Sequence, residues 1–241
     1  MLLLGTLINA AGILIGGGYT LARRRQLQPK TQQALKGLLG IATVFVGLGT
    51  TVFSLGGGVW GVLKGMTIIL LALILGRITG KLCHIQAGMN KVGRYAADKF
   101  ADATEGRAQK WSEGFVACTL LFCVTPLALI GSLLDGLGGH WHALAIKAVM
   151  DGLGTMAFVA AFGWSAMFAV LPVIAFQGTL TMGAKLLAPH LATPAMLYAI
   201  QGTAGLLIFC VSLIILEFRK VELGDYLPSL AWAPLVAWLW K

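Results

Sequence analysis

Apolar residues run in windows too long for the core helices of a soluble protein. They cover Leu2–Leu21, Leu35–Phe53, Val59–Ile78, Gly114–Leu133, Ala143–Phe162, Trp164–Leu187, Ala195–Leu216 and Tyr226–Trp240. About 20 such residues, rising roughly 1.5 Å each, match a hydrocarbon core of roughly 30 Å. The pattern therefore predicts an all-α, polytopic transmembrane helix bundle of about seven to eight spans. The last window holds Pro228 and Pro234 and is short for an upright crossing. It is expected to be short, tilted or only partly inserted.

One long polar stretch interrupts this pattern, from Lys81 to Glu113. Within it, Val92 to Ala103 spaces apolar residues near the helical period among mixed charges, which predicts a cytoplasmic amphipathic helix or helical linker. The stretch divides one integral membrane domain into a three-span block at 1–80, a connector at 81–113, a second three-span block at 114–188, and one or two C-terminal helices at 189–241. Blocks with an odd number of crossings that repeat must do so in opposite orientations. A three-plus-three inverted repeat, common among secondary transporters, is the expected arrangement.

Composition agrees: 58% of residues are hydrophobic and 11% charged, where soluble domains carry about a quarter charged. The net charge of +9 would suit nucleic acid, but the basic residues border apolar windows. With the N-terminus outside, 14 of the 18 Lys and Arg fall on the inner side, as the positive-inside rule requires. The expected partner is thus the lipid bilayer and not nucleic acid. The first window lacks a basic start and a cleavage site, so it reads as a retained helix. Cys83, Cys118, Cys123 and Cys210 show no metal-ligand spacing and read as inert buried thiols.

Chemistry concentrates in the fifth window, where Lys147 and Asp151 stand four residues apart on one helical face. Charges at membrane depth cost roughly 2.5–3.5 kcal/mol each, so they face a protein interior or a wet cavity. Asp151 lies roughly 12 Å along its helix, near mid-depth; Lys147, one turn nearer the surface, could reach outward along its stem. The pair suits an ion relay or substrate counter-charge, and equally a structural ion pair. Gly152, Gly154 and Thr155 follow, a patch that permits close helix packing or local unwinding.

Asn9, Gln177 and Gln201 are the uncharged polar groups at depth, and with Asp151 they could line one cavity; each alone could serve interhelical hydrogen bonding. Pro172 and Gly178 flank Gln177 and predict a kink or break there. Gly12 and Gly16 have the spacing of a tight helix contact. Glu113 at the inner end of the fourth window and Asp135 at its outer end are candidate gates. His140, Trp141 and His142 read as an outer interfacial belt. Phosphate-loop, zinc-protease and nucleophile-elbow motifs are absent from the sequence.

Several of these residues form a recognisable set. Glu113-Gly-Phe-Val116, Leu121-Phe-Cys-Val124, Gly131-Ser132, Asp135-Gly136-Leu137, Lys147 with Asp151-Gly152, Pro172 with Gln177-Gly178, and the opening Asn9-Ala10 closely resemble the pattern of the YqgA/YdfK-like family of bacterial multi-pass inner-membrane proteins. The resemblance covers essentially the whole chain. It implies about seven spans and, the family being of unknown function, supplies no site residues. Thr125-Pro126 and Asp225-Tyr-Leu-Pro-Ser229 depart from the family pattern; the first departure implies a different kink in the fourth span.

The expected function is a secondary transporter or channel for a small polar or ionic solute. Asp151, Lys147, Gln177, Asn9 and Gln201 would lie on the pathway, Glu113 and Asp135 at its gates. No cofactor, no catalytic residue and no resident metal are expected. The alternative is a non-transporting structural or assembly protein whose buried polar residues fix helix packing. Glycine-rich faces suit a homo-oligomer as well as packing within one chain.

Overall fold

The computed structural model describes residues 3–23, 27–104, 110–191 and 193–240. Arg24, Arg25, Arg107 and Lys241, part of the charge count above, lie outside the described residues. Every regular element among the described residues is helical. Five helical runs are long and apolar enough to cross a membrane, or six when one bent pair counts as a span.

The chain forms two compact units, each drawn from both sides of the polar connector. The first comprises Met1–Leu35 with Gly88–Met182, the second Lys36–Ala87 with Gly183–Lys241. The helices in chain order are α1 (Leu4–Arg23), α2 (Pro29–Ser54), α3 (Val59–Leu82), α4 (Ile85–Thr104), α5 (Lys110–Cys123), α6 (Pro126–Gly138), α7 (His142–Phe162), α8 (Val170–Leu187), α9 (Pro194–Ile215), α10 (Leu223–Tyr226) and α11 (Ser229–Leu239).

In the first unit α1 packs along α7 in the same direction. A Cβ on Gly12 would fall on the Ala148 carbonyl, and one on Gly16 would fall on the Gly152 carbonyl. Two small-xxx-small faces therefore meet, Gly12/Gly16 against Ala148/Gly152, and only missing side chains let the backbones approach this closely. The small patch after Asp151 serves this contact, and α7 is an unbroken helix from His142 to Phe162. Unwinding at Gly152–Gly154, one of the two sequence expectations, does not occur.

The chain turns after α7 at Gly163, whose φ of 77° is open to glycine, and a 3-10 segment, Gly163–Ala169, leads into α8. Met167 sits against Gly17, and Gly178 lies 3.7 Å from Leu3 if given a Cβ, so α8 runs back along α1 in the opposite direction. The turn thus falls in the gap between the fifth and sixth windows, while α8 is unbroken from Val170 to Leu187 and the kink expected between Pro172 and Gly178 does not occur. Pro172 occupies the first turn of α8, where its missing N–H has no partner to lose. Of the four cysteines expected to be buried, Cys83 is instead exposed at the end of α3.

The fourth expected span is two helices, α5 and α6, meeting at 58° around Thr125-Pro126. Proline removes a backbone donor and starts the new helix at its first position. The connector forms α4. Its Ala96 is buried, and Phe100 meets Phe158 edge-on at 5.3 Å in an aromatic core that Phe122 and Phe162 complete.

In the second unit α2 lies antiparallel to α9, with Gly47 against the backbone of Gly205 and Phe209. Likewise α3 lies antiparallel to α11 and α10, with Gly76 against Ser229 and Gly80 against Asp225. The final apolar window is split at Pro228, leaving 11 residues in α11, too few for an upright crossing.

Candidate functional site

The first unit buries a charged triad. Lys147 Nζ donates to Asp151 Oδ2 at 2.5 Å, and Asn9 Nδ2 donates to the same oxygen at 3.0 Å. The two charged side chains are only 2% and 6% exposed. Helical spacing places both on one face of α7, and the glycine contact with α1 brings Asn9 within reach. Lys147 therefore turns inward to its partner, where the sequence left open a reach toward the surface. Its ammonium also lies 5.7 Å from the centre of the Phe122 ring, a position that favours a cation. Thr155 closes the inner side by donating to the Asp151 carbonyl at 2.7 Å.

Outward from this triad the polar groups lack partners. Asp135, near the end of α6, accepts the Gly5 backbone N–H on Oδ2 at 3.2 Å, while its Oδ1 is buried without a hydrogen bond. Ser132 stands one turn before it with an unpartnered hydroxyl, and its carbonyl accepts the Thr181 hydroxyl of α8 at 3.2 Å. One turn before Thr181 is Gln177, fully buried, with neither amide atom hydrogen-bonded. On α1, Thr6 Oγ1 and Asn9 Oδ1 are likewise buried and unpartnered. Buried polar groups in folded proteins are nearly always satisfied, so such a concentration calls for an occupant or for water.

The structure thus joins Asn9, Lys147 and Asp151 directly and places Asp135 and Gln177 on helices of the same unit. Gln201 belongs to the second unit, on α9, so the first unit's cluster is built without it. Glu113 forms a half-exposed ion pair with Lys99 of α4 at 2.7 Å. That hydrogen bond raises the Lys99 pKa. At the other end His140 is half-buried, and burial, then the neighbouring His142, lower its pKa. Trp141 stacks on His142 at 4.4 Å.

Sequence reasoning missed Thr6, Ser132 and Thr181. Single hydroxyls in apolar helices ordinarily bond their own preceding turn, and nothing local distinguishes these. The available signal was their register: Thr6 lies three residues before Asn9, Ser132 three before Asp135, and Thr181 four after Gln177.

The family model described as "Protein of unknown function (DUF554)" matches residues 4–238. A relative from Escherichia coli (strain K12), "Uncharacterized protein YqgA", is 26% identical over 242 residues, which is 99% of this chain and 98% of the relative. Another from Bacillus subtilis (strain 168), "Uncharacterized membrane protein YdfK", is 25% identical over 236 residues, 96% of this chain and 94% of the relative. No solved structure matches the chain.

Proposed function

The chain belongs to the family described as "Protein of unknown function (DUF554)", and from that premise we propose that it is a secondary transporter or channel for a small polar or ionic solute, with its pathway in the first unit. The observation that carries this reading is the run of unpartnered buried polar groups that ends on the Asn9–Asp151–Lys147 triad. A buried ion pair costs desolvation and is weak support for stability alone; intramembrane charges commonly mark a solute path. The solute would enter beside Asp135, pass Ser132, Thr6 and Gln177, and meet Asn9 and the ion pair near mid-depth. Lys99 and Glu113 would form the inner gate. On this reading the protein works without catalysis, as a transporter or channel, in a bacterial inner membrane.

Helix direction supports the membrane topology. Helices α1 and α7 run the same way, which supports an odd number of crossings between them, with α2, α3 and the bent α5–α6 pair, read as one broken span, supplying three. The return of α8 along α1 adds a further crossing, and α9 brings the number to seven. The N-terminus lies outside by the distribution of Lys and Arg.

The second reading is a structural or assembly protein. Full satisfaction of Asp151 Oδ2 by Lys147 and Asn9 favours it, since those bonds tie α1 to α7. Solute and ion flux, including proton flux, in proteoliposomes carrying wild type and Asp151→Asn separates the two. Flux in wild type that is lost in a folded, inserted variant is the expected result. Flux equal in both removes Asp151 from the mechanism, and absence of flux across a broad solute panel favours the scaffold.

A further inference from the structure

We propose that five buried side chains of the first unit that hold unpartnered atoms, Thr6, Asn9, Ser132, Asp135 and Gln177, form a binding site for a small monovalent cation such as Na⁺. This deepens the transport reading above by naming the class of ion the pathway takes.

The argument rests on placement and on donor chemistry. Asp135 and Ser132 are one turn apart on α6, and the Gly5–Asp135 hydrogen bond holds the start of α1 against them. That fixes Thr6 beside Asp135 and Asn9 one turn deeper. Docking of the Thr181 hydroxyl on the Ser132 carbonyl holds α8 to the same turn of α6, with Gln177 one turn deeper as well. Side chains three or four residues apart on a helix are about 5–6 Å apart, so three helices bring their polar groups to one region. All five side chains, Thr6, Asn9, Ser132, Asp135 and Gln177, are more than nine-tenths buried.

Their free atoms are strongly biased. Asp135 Oδ1, Asn9 Oδ1 and Gln177 Oε1 can only accept, Thr6 and Ser132 each offer a hydroxyl oxygen, and Gln177 Nε2 is the one pure donor. Five oxygens of carboxylate, amide and hydroxyl type are the ligand set of a hard cation. The lone donor suits a water carried with the ion. Charge selects the valence. Lys147 and Asp151 cancel each other, and Asp135 has no ion-pair partner within 4.0 Å among the described residues. One buried negative charge balances one positive charge, whereas a divalent ion would leave an uncompensated charge at depth.

Asn9 then has two roles. Its Oδ1 is buried and free to accept, while its Nδ2 holds Asp151. A bound cation would draw on that amide and so act on the ion pair below, which gives occupancy of the outer site a direct mechanical link to the triad.

The test is thermal unfolding of the purified full-length chain in detergent, titrated with NaCl against choline chloride at constant ionic strength. Binding to the folded state raises the melting temperature in a saturable way. The expected result is such a rise with Na⁺ and none with choline, and a half-saturating Na⁺ concentration at least about tenfold higher in Asp135→Asn, Ser132→Ala and Thr6→Val. Three variants guard against one failing to fold, and Lys91→Gln, an exposed lysine of α4 outside the set, should respond as wild type. Equal melting of wild type in Na⁺ and choline overturns the proposal, as does an unchanged Na⁺ response in every folded variant. A saturable rise with a neutral polyol in place of Na⁺ also overturns it and assigns the site to an uncharged solute. Na⁺ binding without flux in proteoliposomes leaves the site standing and removes transport; flux with no Na⁺ effect on melting does the reverse.

Discussion

In the second unit the buried hydroxyls of Thr43, Thr51, Ser54, Ser212 and Ser229 all return to backbone carbonyls at 2.6–3.2 Å. Asp225 there accepts the Gln86 backbone N–H, Gln86 in turn accepts that of Gly224, and the Trp232 indole donates to Thr79. The first unit uses the same residue types differently: among the described residues, eight of the ten buried side-chain atoms without a partner lie in it. Each such atom costs about 1–3 kcal/mol. The second unit leaves two such atoms, on Thr193 and Thr203, while the first gathers six of its eight on Thr6, Asn9, Ser132, Asp135 and Gln177; that concentration is how a binding site differs from a packing interface.

The comparison breaks first, and hardest, at the triad. Lys147→Met leaves Asp151 buried and uncompensated, and a loss of about 3–5 kcal/mol is expected. Chemical unfolding in detergent measures it, and Lys147→Met combined with Asp151→Leu should recover much of the loss. If the single variant is as stable as wild type, the pair is not buried as described. Next, Gly12→Leu should cost about 1–3 kcal/mol or more by driving a side chain into the Ala148 backbone. Gly18→Leu, two turns along the same helix with open space around it, should leave the melting temperature unchanged.

A sharper contrast comes from removing one polar group in each unit. Thr51→Val deletes a hydroxyl that bonds both Gly47 and Gly202 and should lose about 1 kcal/mol. Gln177→Leu deletes an amide that bonds nothing and should be neutral or more stable by up to about 1–3 kcal/mol, while abolishing flux. Equal destabilisation by both would show that Gln177 is satisfied after all. The smallest effect is at His140. Its folded pKa lies below the ordinary 6.5, so the unfolded chain takes up a proton that the folded chain resists. Stability is complete above that ordinary value and declines as pH falls through it; His140→Gln should flatten that decline in melting curves recorded across the range.

Much of this was legible in the chain. Lys147 and Asp151 stood out because charge within an apolar run is costly to insert and so is seldom incidental, and Gly12/Gly16 because their spacing has a packing mechanism. The kink at Thr125-Pro126 was signalled by its departure from the family pattern, and the amphipathic connector by its period. The pairing of α1 with α7 was not legible, since both helices offer small-residue faces and local sequence does not choose between partners. The turn at Gly163 was legible as the gap between the fifth and sixth windows; the kink expected between Pro172 and Gly178 was not found, because proline in a first turn is harmless and glycine inside a packed helix is tolerated. Thr6 and Ser132 were hidden for the same reason that Thr43 is unremarkable. Whether a hydroxyl bonds its own helix depends on neighbours that arrive from elsewhere in the chain.

That dependence has a consequence for synthesis. Asn9 and Asp151 are 142 positions apart, and a ribosome adding about 5–20 residues per second needs roughly 7–30 s to travel between them. Throughout that interval the first helix sits in the bilayer with an uncovered amide and a bare glycine groove, and α2 and α3 insert before its proper mate is made. The nascent chain is therefore most open to wrong contacts until α7 emerges.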